Sequence, residues 1–419
     1  MYDIDQISES KRGKLFTFLI AFMALGNVYQ LPGIPQLGVG EIMLMVFLPF
    51  YFRKEINPFL VKETVGFIAF FVYLFFISLI VMNIFNGPLS KLISVARVAF
   101  YWFVIFFLGP NLFSLNFFKK CAFVFSVLLS FFIIIQFFTY AATGFYIPGI
   151  IPNAPLNQGG IHGIESIQHY LNMAGYLGFV RPSGFLLEPS HCVQFLFICS
   201  ILIVNEKDLN PRIRIASFFL TTIAMLIAQS STGIILTLFS WCYFIFVNKE
   251  FFRLRIFMVF LLLIFVVYTL INGFWFDNWA LDRLFNILYG SDVDTSSHSR
   301  LHNGFNLFAQ FPFIYKIFGT GMGSFDLISK TFGFEDSLNY MNCFSFILFS
   351  SGFLGMLIWL ISLMSFFVSS NREGKSLVLG FFVMSLGCSI FCQPQMVWFF
   401  LLILADIRKR NDRYTCVEL

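Results

Sequence analysis

Arg181 and Glu188 stand seven positions apart in the run Arg-Pro-Ser-Gly-Phe-Leu-Leu-Glu-Pro-Ser, which ends at Ser190 as a long apolar stretch resumes. Two prolines forbid a regular helix through this run and preset its backbone, so both charged side chains are expected at a fixed place near a membrane boundary. A guanidinium there offers a planar fork that suits phosphate. Arg300, from a separate stretch, offers a second, and two such forks converging would hold a pyrophosphate. Glu188 stands either to accept a proton from an attacking hydroxyl, or to pair with Arg181, or to place its charge at the N-terminus of the following helix. His298 and His302 are the other candidates for that base. They lie four apart and would share one face of a helix for which Asp294-Thr-Ser-Ser would supply capping residues.

Two further charges fall inside apolar runs. Glu41 and Arg97 each follow the outer start of a membrane span by a few residues, and buried charges at such depth are costly unless paired or facing a wet cavity. They are expected either to pair with each other or, for Arg97, to line a lipid-phosphate pocket. No metal site is expected. The His298-x-x-x-His302 spacing lacks the glutamate of a metalloprotease motif. The eight cysteines are scattered through apolar runs without a Cys-x-x-Cys pair, as small buried hydrophobes would be. Gly319-Thr-Gly-Met-Gly323 resembles a phosphate loop only on the surface, since no strand precedes it; it reads as a tight turn returning the chain to the membrane. Gln229-Ser-Ser-Thr-Gly233 reads as a turn between two spans that also offers hydroxyls.

The elements that must position these residues are membrane helices. Of the 419 residues 58% are hydrophobic and 12% charged, with 63 phenylalanines, against about 25% charged in soluble proteins. Runs near the roughly 20 residues needed to cross a bilayer lie at 15–31, 37–52, 64–85, 92–109, 121–142, 190–205, 212–228, 231–247, 254–273, 342–368, 376–392 and 394–407. The fold expected is therefore all-α and polytopic, about 12 transmembrane helices in one integral membrane domain over 1–419. With both termini in the cytoplasm, 20 of the 27 Lys and Arg fall in cytoplasmic segments, as the positive-inside rule requires. Two connections are long, 143–189 and 274–341, and both then lie on the outer side. They hold or border every histidine of the chain: His162, His169, His191, His298 and His302. Helical spacing within 164–174 and the tryptophans between Phe274 and Tyr289 suggest short helices lying on the membrane surface.

The ordered set of Arg181-Pro-Ser-Gly-Phe-Leu-Leu-Glu-Pro-Ser190, Ser230-Ser-Thr-Gly233, Ser299-Arg300, Gly319-x-Gly-x-Gly323 and Asn342 followed by Gly352-Phe-Leu-Gly355 resembles the bacterial O-antigen polymerase family, which is grouped with the O-antigen ligases. The resemblance extends to the architecture of nearly the whole chain. It implies a GT-C-like glycosyltransferase of the inner membrane that needs no metal or other cofactor, with its active site in the periplasm. Such an enzyme transfers a growing glycan from undecaprenyl pyrophosphate to a sugar hydroxyl on the next lipid-linked repeat unit. Arg181, Arg300 and Arg97 would then grip the pyrophosphate, and Glu188, His298 or His302 would be the base. The partners implied are undecaprenyl-pyrophosphate-linked oligosaccharide repeat units, the lipid bilayer and a polysaccharide chain-length regulator, with no nucleic acid. Ligases place a histidine before the asparagine of the late span and a basic residue in the turn; this chain has Met341 and Ser231 there. Both departures point from ligase toward polymerase. A ligase and a glycolipid flippase are the competing readings, the second weakened because no internal repeat is evident.

Overall fold

The computed structural model describes residues 10–30, 37–51, 62–87, 92–151, 154–156, 181–247, 304–324, 328, 331–333, 341–388 and 390–415. Among these the structure is all-helical. In chain order the helices are α1 Lys11–Gly26, α2 Val39–Tyr51, α3 Val65–Ile84, α4 Ile93–Leu112, α5 Leu115–Thr143, α6 Pro189–Asn205, α7 Pro211–Ile227, α8 Ser231–Val247, α9 Gly304–Gln310, α10 Phe313–Phe318, α11 Cys343–Ser369, α12 Arg372–Gly387 and α13 Pro394–Thr415. Each apolar run of the sequence coincides with one of them, except 254–273, which lies outside the described residues. Among the described residues four helices are long and apolar enough to cross a membrane: α3, α4, α5 and α11. The others are shorter or more polar than that measure requires.

Local chemistry sets several helix ends. The Asn342 side chain accepts from the Ser345 amide at 2.8 Å and starts α11, and Asn210 does the same for α7 through Arg212 at 3.0 Å. Proline opens α6, α7 and α13, where its missing N–H costs nothing. In α4 the turn at Val104–Leu108 widens to a π-helix. Pro110 supplies the reason, since its ring cannot accept the carbonyl four residues back in a regular helix.

The chain divides into two compact units. The first comprises Met1–Met23, Glu41–Phe118 and Asp294–Leu419; the second comprises Ala24–Gly40 and Lys119–Val293. In the first unit, Phe67 lies at the centre of an aromatic core, with ring centroids 4.7 Å from Phe366, 5.0 Å from Phe400 and 5.1 Å from Trp359. Between membrane helices close packing has to replace the hydrophobic drive, and small residues allow it: a Cβ on Gly66 of α3 would meet the Ser362 hydroxyl of α11 at 2.4 Å. The Trp398 indole of α13 donates to the Ile20 carbonyl of α1 at 2.6 Å, joining the two ends of the chain.

The second unit is organised around α6, buried on all sides from Cys192 to Val204 and flanked by α7 and α8. Ser200 and Ser240 share a hydrogen bond of 2.9 Å between α6 and α8. Phe218 of α7 stacks on Phe244 of α8 with centroids 4.8 Å apart.

Candidate functional site

The Arg181–Ser190 run belongs to the second unit and is held by side chains distant in sequence. Gln136, seven residues before the end of α5, takes both polar groups of Gly184: Oε1 accepts from the amide at 2.9 Å and Nε2 donates to the carbonyl at 3.4 Å. The same Nε2 donates to the Ile147 carbonyl at 2.8 Å. One amide thereby fastens the chain as it leaves α5 and again as it returns to α6. Gly149 makes this approach possible, since a Cβ there would come within 1.6 Å of the Gly184 oxygen. Phe185 then stacks on Phe132, centroids 4.5 Å apart, while Leu186 and Leu187 are buried.

Around this clamp lies a small cleft, with room for about 10 Å³, lined by Tyr146, Pro148, Gly149, Ile150, Ser183, Leu186 and Leu187. The Tyr146 and Ser183 hydroxyls are 3.4 Å apart. Burial pushes the Tyr146 phenol up, opposed in part by its hydrogen bond with Ser183. It stays protonated at neutral pH and can donate.

The two charged residues flank the clamp. Arg181 is half-buried and its Nε donates to the Gln229 carbonyl at 3.1 Å. Gln229 has the left-handed φ of 49° that turns the chain from α7 into α8, so two motifs read separately in the sequence meet here. Glu188 adopts the extended conformation of an N-cap, with Pro189 as first helical residue. Its Oε2 accepts from the Ser190 hydroxyl at 3.0 Å and lies 3.9 Å from His191 Nε2. Its side chain is 40% exposed.

Arg97 and Glu41 lie in the first unit and pair. Arg97 Nε donates to Glu41 Oε1 at 2.6 Å, and the Tyr101 hydroxyl donates to the same oxygen. Glu41 is fully buried whereas Arg97 keeps 21% exposure. The pair meets the requirement for charges at membrane depth.

Arg300, His298 and His302 lie outside the described residues, as do the surface helices expected over 164–174 and 274–289. Gly319-Thr-Gly-Met-Gly323 is a turn, as expected. Thr320 and Gly321 donate backbone N–H to the carbonyls of Phe349 and Ser350 in α11, at 2.7 and 2.9 Å. Among the described residues no three His, Cys, Asp or Glu side chains form a group that could hold a metal.

Sequence reasoning singled out Arg181, Glu188 and Arg97 but not Gln136, Tyr146 or His191. The available signals were a lone glutamine late in an apolar run and the Glu-Pro-Ser-His spacing, which puts His191 one turn beyond the N-cap. Comparison of the chain with protein-family models gave no match, and comparison with curated proteins gave none either.

Proposed function

We propose that this chain is a polysaccharide polymerase, a GT-C-like membrane glycosyltransferase of about 12 spans. It would sit in the bacterial inner membrane with both termini cytoplasmic and its site at the periplasmic face. The observation that carries this reading is the rigid presentation of Arg181 and Glu188. The run bearing them is tied to Gln136 on one side and to Gln229 on the other, over a cleft lined by a half-buried phenol.

In the reaction a hydroxyl oxygen of the next lipid-linked repeat attacks the anomeric carbon of the growing glycan. The bond from that carbon to the undecaprenyl pyrophosphate breaks, and the leaving oxygen takes the electron pair. Arg181 would neutralise the departing diphosphate, an electrostatic contribution of several kcal/mol; Arg300 and Arg97 are the other cations the resemblance offers for that role. Glu188, His298 or His302 would take the hydroxyl proton, a step worth about 10²- to 10⁴-fold. The polypeptide supplies positioning and charge throughout.

Deleting the gene and purifying the protein test the reading together. A polymerase deletion leaves lipopolysaccharide capped with a single repeat, whereas a ligase deletion loses even that unit. Purified protein given a defined undecaprenyl-pyrophosphate-linked repeat is expected to make a ladder. Transport of that lipid into vesicles without polymer would point to a flippase and overturn the proposal.

A further inference from the structure

The helix α10 and the glycine turn that follows it pack at unexpected places along α3. The Tyr315 ring lies 6.4 Å from that of Phe85, just past the end of α3. Three residues on, the Phe318 carbonyl accepts from the Tyr73 hydroxyl at 2.8 Å. The chain then turns, and the Met322 amide donates to the Ser78 hydroxyl at 2.8 Å. At 1.5 Å per residue Ser78 lies about 9 Å and Tyr73 about 16 Å inward from Ile84. The hydrocarbon core is about 30 Å thick, so Tyr73 is near its middle. The Tyr73 side chain spans the remaining distance to Phe318, and a Cβ on Gly321 would meet the Ser78 Cα at 2.6 Å, so the segment descends beside α3 to about the level of Ser78, inside the hydrocarbon, and comes back.

Its backbone is arranged for that environment. Irregular chain at membrane depth persists only where its polar groups find partners in the protein. Here α11 breaks at Gly352, whose φ of 65° is left-handed. The Phe349 and Ser350 carbonyls, in the turn before that break, accept the Thr320 and Gly321 amides. Thr320, Met322 and Ser324 are buried. The outward face is the opposite. Phe313 is 76% and Ile314 60% exposed, and Phe318 is exposed as well. Phe353, Leu354 and Leu357, just past the break in α11, are exposed apolar residues of a helix long and apolar enough to cross a membrane. Gly319 lies against the break itself, where its Cβ would meet the Gly352 nitrogen at 2.6 Å, so α10 and this stretch of α11 adjoin.

We infer that residues 313–323 form a re-entrant membrane element whose Phe313, Ile314 and Phe318 face lipid acyl chains, continuing the apolar surface of α11. The occupant of this face is the bilayer hydrocarbon. Lys316, the one charge of the element, has a stem long enough to return its ammonium toward the interface.

A nitroxide at Ile314→Cys in protein reconstituted into bilayers tests this, with Leu357→Cys as lipid-facing reference and identically treated wild-type protein as background for native cysteines. Collisions with oxygen are expected to exceed those with a water-soluble nickel chelate, to about the extent seen at Leu357→Cys. Collisions dominated by the chelate would place the element in water. Low collisions with both would mean that protein covers this face. Either result overturns the inference. Phe313→Trp provides an independent reading. Lipids brominated at mid-chain are expected to quench its added fluorescence, and no quenching beyond that of the wild-type tryptophans would also overturn it.

Discussion

Gln136 grips Gly184 from both sides, accepting from its amide at 2.9 Å and donating to its carbonyl at 3.4 Å, forty-eight residues along the chain. Both groups are buried, so each becomes an unsatisfied polar atom if the side chain is lost. Gln136→Leu is expected to cost about 2 to 4 kcal/mol of stability, the sum of at least two such losses. Thermal unfolding in detergent measures this. Gln136→Glu keeps the acceptor for Gly184 N but loses the donor for Ile147, and is expected to fall between Gln136→Leu and the wild type.

Arg181→Ala and Glu188→Gln are expected to leave cells with lipopolysaccharide carrying at most one repeat, at normal protein level. A full ladder from either expressed variant rejects the role assigned to that residue. Arg181→Lys keeps the charge but loses the planar fork, and a diphosphate grip predicts that it restores little. A purely architectural bond to Gln229 would instead be largely restored by lysine.

The Arg97 pair can be split into its two possible duties. Arg97→Met strands the buried Glu41 carboxylate, which is expected to cost about 3 to 5 kcal/mol. Adding Glu41→Leu removes the stranded charge, and most of that stability is expected to return. If Arg97 also grips phosphate, polymer length stays short in the double variant despite restored folding. Full activity there, with normal protein level, would leave Arg97 a structural residue alone.

Glycine at 319 is expected to be irreplaceable for two separable reasons. Its φ of 86° with ψ of 174° belongs to backbone that side chains rarely adopt, a strain of about 1 to 3 kcal/mol. An added Cβ would also press on the Ser350 carbonyl at 2.5 Å. Gly333 has a similar φ of 75° but open space around it. Gly319→Ala is therefore expected to lower the melting temperature distinctly more than Gly333→Ala, the difference reporting the contact with α11.

Helices were legible in the sequence because a bilayer demands length and apolarity, and each run from 15–31 to 394–407 within the described residues has its helix. Interruptions were less so. Pro110 announced the π-turn only to a reader who asked what its ring displaces, and Gly352 looks like any small residue of a membrane helix. Arg181 and Glu188 stood out because charge and proline are rare here. Their supports did not: Gln136 is one amide among phenylalanines, and Gln229 acts through its backbone carbonyl, which carries no signature of residue type. The Arg97–Glu41 pairing was foreseeable from equal depth, whereas Tyr101 as third member was not, since one more aromatic among so many carries little information.

The hydrogen bond from Trp398 to Ile20 joins residues 378 positions apart. Translation at about 5 to 20 residues per second leaves α1 waiting roughly 20 to 75 s for that partner. The second unit, drawn almost wholly from one continuous stretch, can assemble during this interval. Premature stop codons ahead of α13 should therefore yield a well-formed middle flanked by an N-terminal segment exposed to membrane proteases.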